Sequence, residues 1–157
     1  QNVISGGYCL REATGIPSVT LVGMGAVLPE VLTAARDLGD AGVGVDVVCL
    51  TSADLVFRAL QARQGLGDGD DAILETLFPS QRIAPIVSVL DGHPHTLSFL
   101  AAIHGAPIAC LGVNDFGQSG DVADLYRQFG IDADTVVGAA WDLIEATRGV
   151  AERRSYG

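Results

Sequence analysis

Short apolar runs recur along the chain at intervals that suit a helix between each pair. Four of these runs predict buried strands, at 18–23, 43–50, 83–92 and 106–113. The stretches between them have apolar residues three or four positions apart, most clearly over 27–42, as an amphipathic helix requires. Strands that alternate with helices are typical of a parallel sheet built from strand-helix-strand units.

Three further helices and one more strand are predicted before residue 112. The helices cover residues 53–62, 72–79 and 96–105. The additional strand lies within 7–12, and the turn-like "ATGIPS" after it would bring it back antiparallel beside "VTLV" at 19–22. The sequence therefore predicts a three-layer α/β/α fold with a mainly parallel sheet of about five strands and one antiparallel edge strand.

The 157 residues suit a single domain. Within it, we expect 1–17 to form the opening strand and turn and 145–157 to form a polar tail. The chain begins at a glutamine and reaches a strand-like run by Tyr8. This beginning predicts that the domain is a fragment of a larger chain.

Charge and hydropathy argue against nucleic-acid and membrane partners, and the cysteines bear on the cellular compartment. The net charge is −10 and lysine is absent, so no basic stripe is available for a nucleic-acid backbone. No apolar run approaches the roughly 18 residues of a membrane span, and we expect no membrane partner. Cys9, Cys49 and Cys110 are far apart in apolar runs, which predicts reduced core thiols in a cytoplasmic protein.

Two glycine-containing stretches match ligand-binding loops only in part. "GMGAVL" (23–28) follows a strand and opens a helix, but Leu28 stands where a dinucleotide-binding motif has its third glycine. A plain strand-to-helix turn is the favoured interpretation. The aspartates of "GLGDGDD" (65–71) lack the ligand spacing of a calcium loop, which favours a solvated loop.

A polar turn follows the predicted strand at 83–92. The sequence "DGHPHT" brings Asp91, His93 and His95 to a position where open α/β sheets tend to bind ligands. Histidines two residues apart can chelate a metal ion, but a proline separates these two and no third ligand is assigned. We expect no metal site here. Asp91, His93 and His95, together with Ser119, remain polar loop candidates, and a loop with capping roles is the alternative.

The stretch 112–137, "GVNDFGQSGDVADLYRQFGIDADTVV", contains two helix starts and one helix stop. Ser119 suits the N-cap of a helix that carries Phe129 on its apolar face, and Gly130 ends that helix. Asp132 is expected to cap the next helix. These features belong to a scaffold, and we assign no catalytic, cofactor-binding or metal-ligating residue.

The order of the segments, together with this stretch, resembles the carboxyl-terminal domain of the transketolase superfamily, a group of thiamine-diphosphate enzymes. The motif that carries the resemblance consists of Phe116, Gly117 and Ser119, then Phe129 and Gly130, then Asp134, Val136 and Val137. The likeness extends from Ser5 to about Ile144. The "GVNDFGQS" version is most similar to the homodimeric pyruvate dehydrogenase E1 subunit.

The resemblance implies a division of labour between domains. In this superfamily the amino-terminal domain holds the diphosphate and its magnesium, and the middle domain holds the aminopyrimidine ring. This chain is then a carboxyl-terminal domain that binds no cofactor and is inactive alone, while its parent enzyme uses thiamine diphosphate and magnesium. The "GDG" at 67–69 lies in a loop and lacks the family's partner asparagine.

The resemblance also implies a parent and its partners. The parent would be a pyruvate dehydrogenase E1 that decarboxylates pyruvate and transfers the acetyl group to a lipoyl carrier. Its partners would be the amino-terminal and middle domains, a second copy in a homodimer and a lipoyl acyltransferase complex. The alternative parent is a transketolase, which moves two-carbon ketol units between sugar phosphates. From another class, the alternative is a free-standing flavodoxin-like binding module.

Overall fold

The computed structural model of the chain describes residues 6–113, 126–127 and 130–155. Phe116, Ser119 and Phe129, which carry part of the family motif, lie outside the described residues. Of the predicted helix between Ser119 and Gly130, Tyr126 and Arg127 are described, and both are helical.

The described residues form strands and helices in the alternating order that the sequence predicts. In chain order they are β1 Gly7–Arg11, β2 Val19–Met24, α1 Leu28–Asp40, β3 Val45–Leu50, α2 Ala53–Arg63, α3 Ala72–Leu77, β4 Ile86–Leu90, α4 Ala101–His104, β5 Ile108–Leu111 and α5 Ala133–Ser155. Two short 3-10 helices, Gly25–Val27 and Pro94–Leu100, lead into α1 and α4.

The five strands form one sheet in the order β1-β3-β2-β4-β5. β3, β2, β4 and β5 are mutually parallel, and β1 is an antiparallel edge strand. The predicted architecture is therefore confirmed. The predicted neighbour of β1 is wrong, because Gly7 lies opposite Leu50 and Tyr8 opposite Cys49 in β3 rather than beside β2. β2 already has β3 and β4 on its two sides, so it has no free edge for β1.

The core lies on both faces of the sheet, between two helical layers. α1 and α5 cover one face, where Leu21 of β2 is fully buried. α2, α3, α4 and the second 3-10 helix cover the other face, where Val22 is fully buried. Successive residues of a strand face opposite sides, so a strand between two layers is apolar at nearly every position. This explains the continuous apolar runs of the sequence.

Two helices differ in extent from their predicted bounds. The helix predicted at 96–105 begins as the 3-10 helix Pro94–Leu100 and ends at Gly105, whose φ of 69° suits glycine. α5 runs through the expected polar tail as far as Ser155, with mostly exposed side chains beyond Ile144. No helix within the described residues is both long and apolar enough to cross a bilayer.

The cysteines are free, but they are not all in the core. Cys49 is buried, Cys110 is partly buried and Cys9 is exposed. The prediction of core thiols is therefore wrong for Cys9. It lies on β1, the edge strand, whose last three residues are exposed.

Candidate functional site

The topology brings two of the predicted loops to the same edge of the sheet. β2 leads to β3 on one side and pairs with β4 on its other side, so the carboxyl ends of β2 and β4 flank the point where the winding reverses. Open α/β sheets bind their ligands at this point. The turn Gly25–Val27 follows β2, and Asp91 follows β4.

The carboxylate of Asp91 occupies the glycine turn after β2. Its Oδ2 accepts a hydrogen bond from the N–H of Ala26 at 3.4 Å. A Cβ atom on Gly25 would lie 2.5 Å from Asp91 Oδ1 and would displace this carboxylate, and the φ of 86° would strain any residue other than glycine. An anionic ligand at the start of this helix would bind where the carboxylate of Asp91 already lies. This arrangement supports the plain strand-to-helix turn over a dinucleotide loop.

His93 and His95 contact each other and cap a helix. Both are exposed, and Nδ1 of His93 accepts the backbone N–H of His95 at 3.3 Å as the N-cap of the second 3-10 helix. The Nδ1 atoms of the two rings also face each other, with ring centroids 4.1 Å apart. Asp91 is bonded to the β2–α1 turn instead. Within the described residues no three histidine, cysteine or carboxylate side chains come together as a metal site.

Gly112, which the sequence analysis did not single out, packs against the backbone of the polar turn. Val113, just after β5, donates its N–H to the carbonyl of Gly92 at 2.8 Å. A Cβ atom on Gly112 would lie 2.4 Å from Gly92 O and 2.8 Å from Pro94 N. Backbone therefore packs directly on backbone here, and the polar turn is fixed between β5 and the β2–α1 turn. The only sequence signal is a glycine at the end of an apolar run.

An exposed aromatic surface lies beside the polar turn. Phe57 of α2 is 41% exposed and meets Phe99 edge to face, with ring centroids 5.3 Å apart. The open groove around this pair is lined by Ala53, Asp54, Phe57, His95, Thr96 and Phe99. Such a surface suits contact with another apolar surface.

A buried ion pair lies at the opposite, amino-terminal edge of the sheet. Arg82 donates to Asp46 twice, from Nε at 2.9 Å and from Nη2 at 2.7 Å. Ala13 joins the pair, donating its N–H to Asp46 Oδ1 at 2.8 Å and accepting from Arg82 Nη2 at 3.0 Å. The pair thus ties the β1–β2 connection to β3 and to the segment before β4. Spacing along the chain gives no hint of it, because 36 residues separate the two side chains.

The remaining sequence candidates have local structural roles or lie outside the described residues. Asp71 pairs with Arg63 at 3.0 Å, and Asp70 accepts the N–H of Ala72 at 2.7 Å at the start of α3. The "GDG" at 67–69 lies in the exposed loop between α2 and α3. Ser119 is outside the described residues.

The family model of the transketolase-like TK C-terminal domain matches residues 6–132. The chain belongs to this family. The chromosomal transketolase of Cupriavidus necator is 31% identical over 143 residues, which are 91% of this chain and 19% of that protein. Transketolase 2 of Escherichia coli is 29% identical over 144 residues, which are 92% of this chain and 20% of that protein. The chain thus spans about a fifth of the length of these curated relatives.

Solved structures show the same fold. A transketolase from Campylobacter jejuni superposes with a TM-score of 0.67 at 22% identity and covers 90% of this chain and 19% of its own. A split-gene transketolase, described as an inactive β4 tetramer, superposes with a TM-score of 0.65 at 23% identity and covers 88% of this chain and 42% of its own. The resemblance to the superfamily is confirmed. These relatives bear the name of the alternative parent, transketolase, rather than pyruvate dehydrogenase E1.

Proposed function

We propose that this chain is the carboxyl-terminal structural domain of a transketolase, which transfers two-carbon units between sugar phosphates. The observation that carries the proposal is the family match over residues 6–132, joined by relatives named transketolase over about a fifth of their length. The domain supports the assembly of the parent enzyme, and the parent's other domains hold thiamine diphosphate and magnesium.

The chemistry of the described residues supports this division of labour. Magnesium beside a diphosphate needs oxygen ligands, usually one or two carboxylates. Asp70, Asp71 and Asp91 are bonded to protein groups of their own, and no group of three potential metal ligands occurs among the described residues. These residues do not fit the cofactor, so we assign no step of the reaction to this chain.

The aromatic surface supports a role in assembly. Phe57, 41% exposed, contributes to this surface from α2, and Phe99 contributes from the second 3-10 helix. We propose the amino-terminal and middle domains of the parent, and a second copy in a homodimer, as the partners of this domain.

Pyruvate dehydrogenase E1 is the second candidate parent, with a lipoyl acyltransferase complex as its further partner. The sequence feature that favours this candidate is Asn114 and Asp115 before the family's Phe-Gly pair. Both residues lie outside the described residues. The two parents differ in their reactions. The parent enzyme assayed with a ketose phosphate donor and an aldose phosphate acceptor should transfer two carbons, and it should not oxidise pyruvate with an artificial electron acceptor. The reverse result would establish the second candidate.

Titration calorimetry of the isolated chain tests the division of labour. We expect no saturable heat when thiamine diphosphate is added in the presence of magnesium, because no described residues offer the ligands. Saturable micromolar binding would contradict the proposal, since it would make this chain a cofactor-binding domain.

Substitution on α2 tests the role in assembly. Phe57→Ser in the parent enzyme should weaken its self-association or its domain contacts, as measured by sedimentation, while the melting temperature of the isolated chain changes little. The matched control is Leu66→Ser, which removes an apolar side chain that is 72% exposed in the loop after α2. Equal behaviour of the two variants would exclude the aromatic surface from the interface.

A further inference from the structure

Two aspartates of the chain are followed directly by glycine, Asp68 in the loop between α2 and α3 and Asp91 in the polar turn. In such a pair the backbone nitrogen of the glycine can attack Cγ of the aspartate and close a five-membered succinimide ring. A residue with a Cβ atom hinders this approach, whereas glycine does not and also adopts the widest range of backbone angles. These two pairs are therefore the places where an aspartate of this chain isomerises most readily, if the fold allows it.

The isomerisation needs no reactant other than water. When the bond between the glycine nitrogen and Cγ forms, the hydroxyl of the carboxyl group leaves with the amide proton as one molecule of water. A second water then opens the ring at one of its two carbonyl carbons. Attack at Cγ restores aspartate, whereas attack at the main-chain carbonyl carbon gives isoaspartate, in which the main chain runs through the side chain and Cα carries a free carboxylate.

The fold leaves the pair Asp68–Gly69 unrestrained. Both residues are exposed, and neither makes a hydrogen bond or an ion pair with any other described residue. A Cβ atom on Gly69 would meet no atom within 4 Å, so the space around the pair is open. The loop is fixed at its ends instead, where Asp71 pairs with Arg63 at 3.0 Å. The pair can therefore reach the geometry of ring closure without the opening of any helix or strand.

The fold restrains the pair Asp91–Gly92, although its local sequence chemistry is the same. Oδ2 of Asp91 accepts the N–H of Ala26 at 3.4 Å, which holds the carboxylate against the β2–α1 turn. The carbonyl of Gly92 accepts the N–H of Val113 at 2.8 Å, which holds the glycine against the segment after β5. Ring closure at Asp91 therefore requires the polar turn to open first, and a reaction that waits for local opening is slowed by the free energy of that opening.

We propose that Asp68–Gly69 is a site of spontaneous covalent modification, at which Asp68 isomerises to isoaspartate in the folded chain while Asp91 keeps its ordinary linkage. The modified chain stays folded, because the pair has no packing or hydrogen bond to lose and exposed loops tolerate such changes. The class of partner that the modified site fits is a methyltransferase that esterifies the free carboxylate of isoaspartate. The inference does not depend on the proposed function.

Peptide mapping of the chain after weeks at physiological temperature tests the site directly. Trypsin releases residues 64–82 as one peptide, because arginines precede and end this segment. The aged wild type should give a second form of this peptide, with the same mass but a different retention time, that a protease specific for aspartate no longer cuts before residue 68. Asp68→Glu is the control, since glutamate keeps the charge but closes its larger ring far more slowly. Absence of the second form from the wild type, or its presence in Asp68→Glu, would overturn the proposal.

A matched pair of variants separates the effect of the fold from that of the sequence. Asp68→Asn and Asp91→Asn place the same asparagine-glycine pair in both settings, and asparagine closes the same ring with loss of ammonia, which mass spectrometry detects. Asparagine at position 91 still offers an oxygen to the N–H of Ala26, so the polar turn should be retained. In the folded chain, position 68 should react at least about tenfold faster, because position 91 waits for the turn to open. In urea the two rates should converge. Equal rates in the folded chain, or an undiminished difference in urea, would refute the assignment.

Discussion

Gly25 and Gly112 shape the carboxyl edge of the sheet, each through the absence of a side chain. At Gly25 the space is taken by the carboxylate of Asp91, and at Gly112 it is taken by the backbone of Gly92 and Pro94. A carboxylate can rotate away from a new methyl group, whereas backbone atoms can move only if the polar turn moves with them. Gly112 is therefore the less replaceable of the two for steric reasons.

Gly112→Ala should destabilise the chain by about 1–3 kcal/mol, the usual range for forcing an extra methyl group into a packed place. The matched control is Gly138→Ala in α5, where a Cβ atom would meet no atom within 4 Å. That change should stabilise the chain by about 0.5–1 kcal/mol, because alanine suits a helix better than glycine. Urea unfolding measures both values. A Gly112→Ala variant as stable as the wild type would mean that the turn yields freely.

Cys9 should be accessible to alkylating reagents but slow to react near neutral pH. Partial burial of the thiol raises its pKa above the ordinary value of 9.0, and the charges of Glu12 and Asp46 raise it further. A raised pKa leaves less thiolate, the reactive form, in the folded chain than in the unfolded chain at the same pH. Mass spectrometry after timed iodoacetamide labelling should give a rate for Cys9 that rises up to a pH above 9.0.

Glu12→Gln is the control for this prediction. It removes one of the two charges, so labelling of Cys9 at pH 8 should become faster, while buried Cys49 should stay unlabelled until urea unfolds the chain. A folded chain whose Cys9 reacts at the unfolded rate would show that the thiol is fully solvated.

The individual residues of the candidate site were only partly predictable. The sequence indicates Asp91, His93 and His95 because polar residues after a strand stand out in an apolar chain. Their hydrogen bonds are not predictable in this way. Asp91 bonds Ala26, which is 65 residues away along the chain, and sequence spacing carries no information about such a contact.

At the scale of elements, a hydrogen bond from α5 to α1 fixes the start of α5. Glu30 in the first turn of α1 accepts the N–H of Ala133, the first residue of α5, at 2.8 Å. The first N–H groups of a helix have no partner within the helix, so a carboxylate from a neighbour satisfies one of them. The carboxylate of Asp132, expected to cap this helix, accepts the hydroxyl of Thr135 instead at 2.5 Å.

Glu30→Ala should therefore cost about 1.5–3 kcal/mol in the free energy of unfolding, the range for a hydrogen bond to a charged group. Glu30→Gln should cost clearly less, since its amide oxygen can still accept the bond. Glu145→Ala, at an exposed position of α5, should change stability by less than about 0.5 kcal/mol. Urea unfolding followed by circular dichroism distinguishes the three variants. Equal costs for alanine and glutamine at position 30 would argue for lost packing rather than a lost bond.

The elements themselves were largely predictable, since a strand or helix depends on neighbours a few residues away. The apolar runs identify β2 to β5, and the 3.6-residue spacing identifies α1. The end of α5 was harder to predict, because the residues after Ile144 are polar and give no buried stripe. Arg153 and Arg154 in its last turn are nevertheless favourable there, because positive charges interact well with a helix carboxyl end.

At the scale of the whole molecule, strand order depends on contacts that the sequence pattern does not encode. The turn-like "ATGIPS" predicts a local hairpin of β1 with β2, but β2 needs both of its edges for β3 and β4. β1 can pair only at the free edge of β3. The connection from β1 to β2 must then cross the amino end of β3, where Ala13 meets the pair of Asp46 and Arg82.

This crossing leads to a prediction for the buried ion pair. Side-chain exposure is 8% for Asp46 and 20% for Arg82, so the carboxylate is buried and the guanidinium is partly exposed. Arg82→Met should cost about 3 kcal/mol, because it leaves the buried carboxylate without its partner. Asp46→Val should cost less, because water can reach the guanidinium that remains. The double variant Asp46→Val/Arg82→Met should cost much less than the sum, since no buried charge remains and both new side chains are apolar.

A double-mutant cycle in urea measures the coupling between the two side chains. We expect a strong coupling that changes little between low and high salt, because salt screens exposed pairs far more than buried ones. Arg58→Ala, which breaks the exposed pair with Asp54 on α2, is the control and should cost less than about 1 kcal/mol. Additive costs for Asp46 and Arg82 would mean that the two side chains stabilise the chain separately. In that case the β1–β2 connection would be held by Asp46 and its bond from Ala13 alone, and Arg82 would contribute mainly through packing.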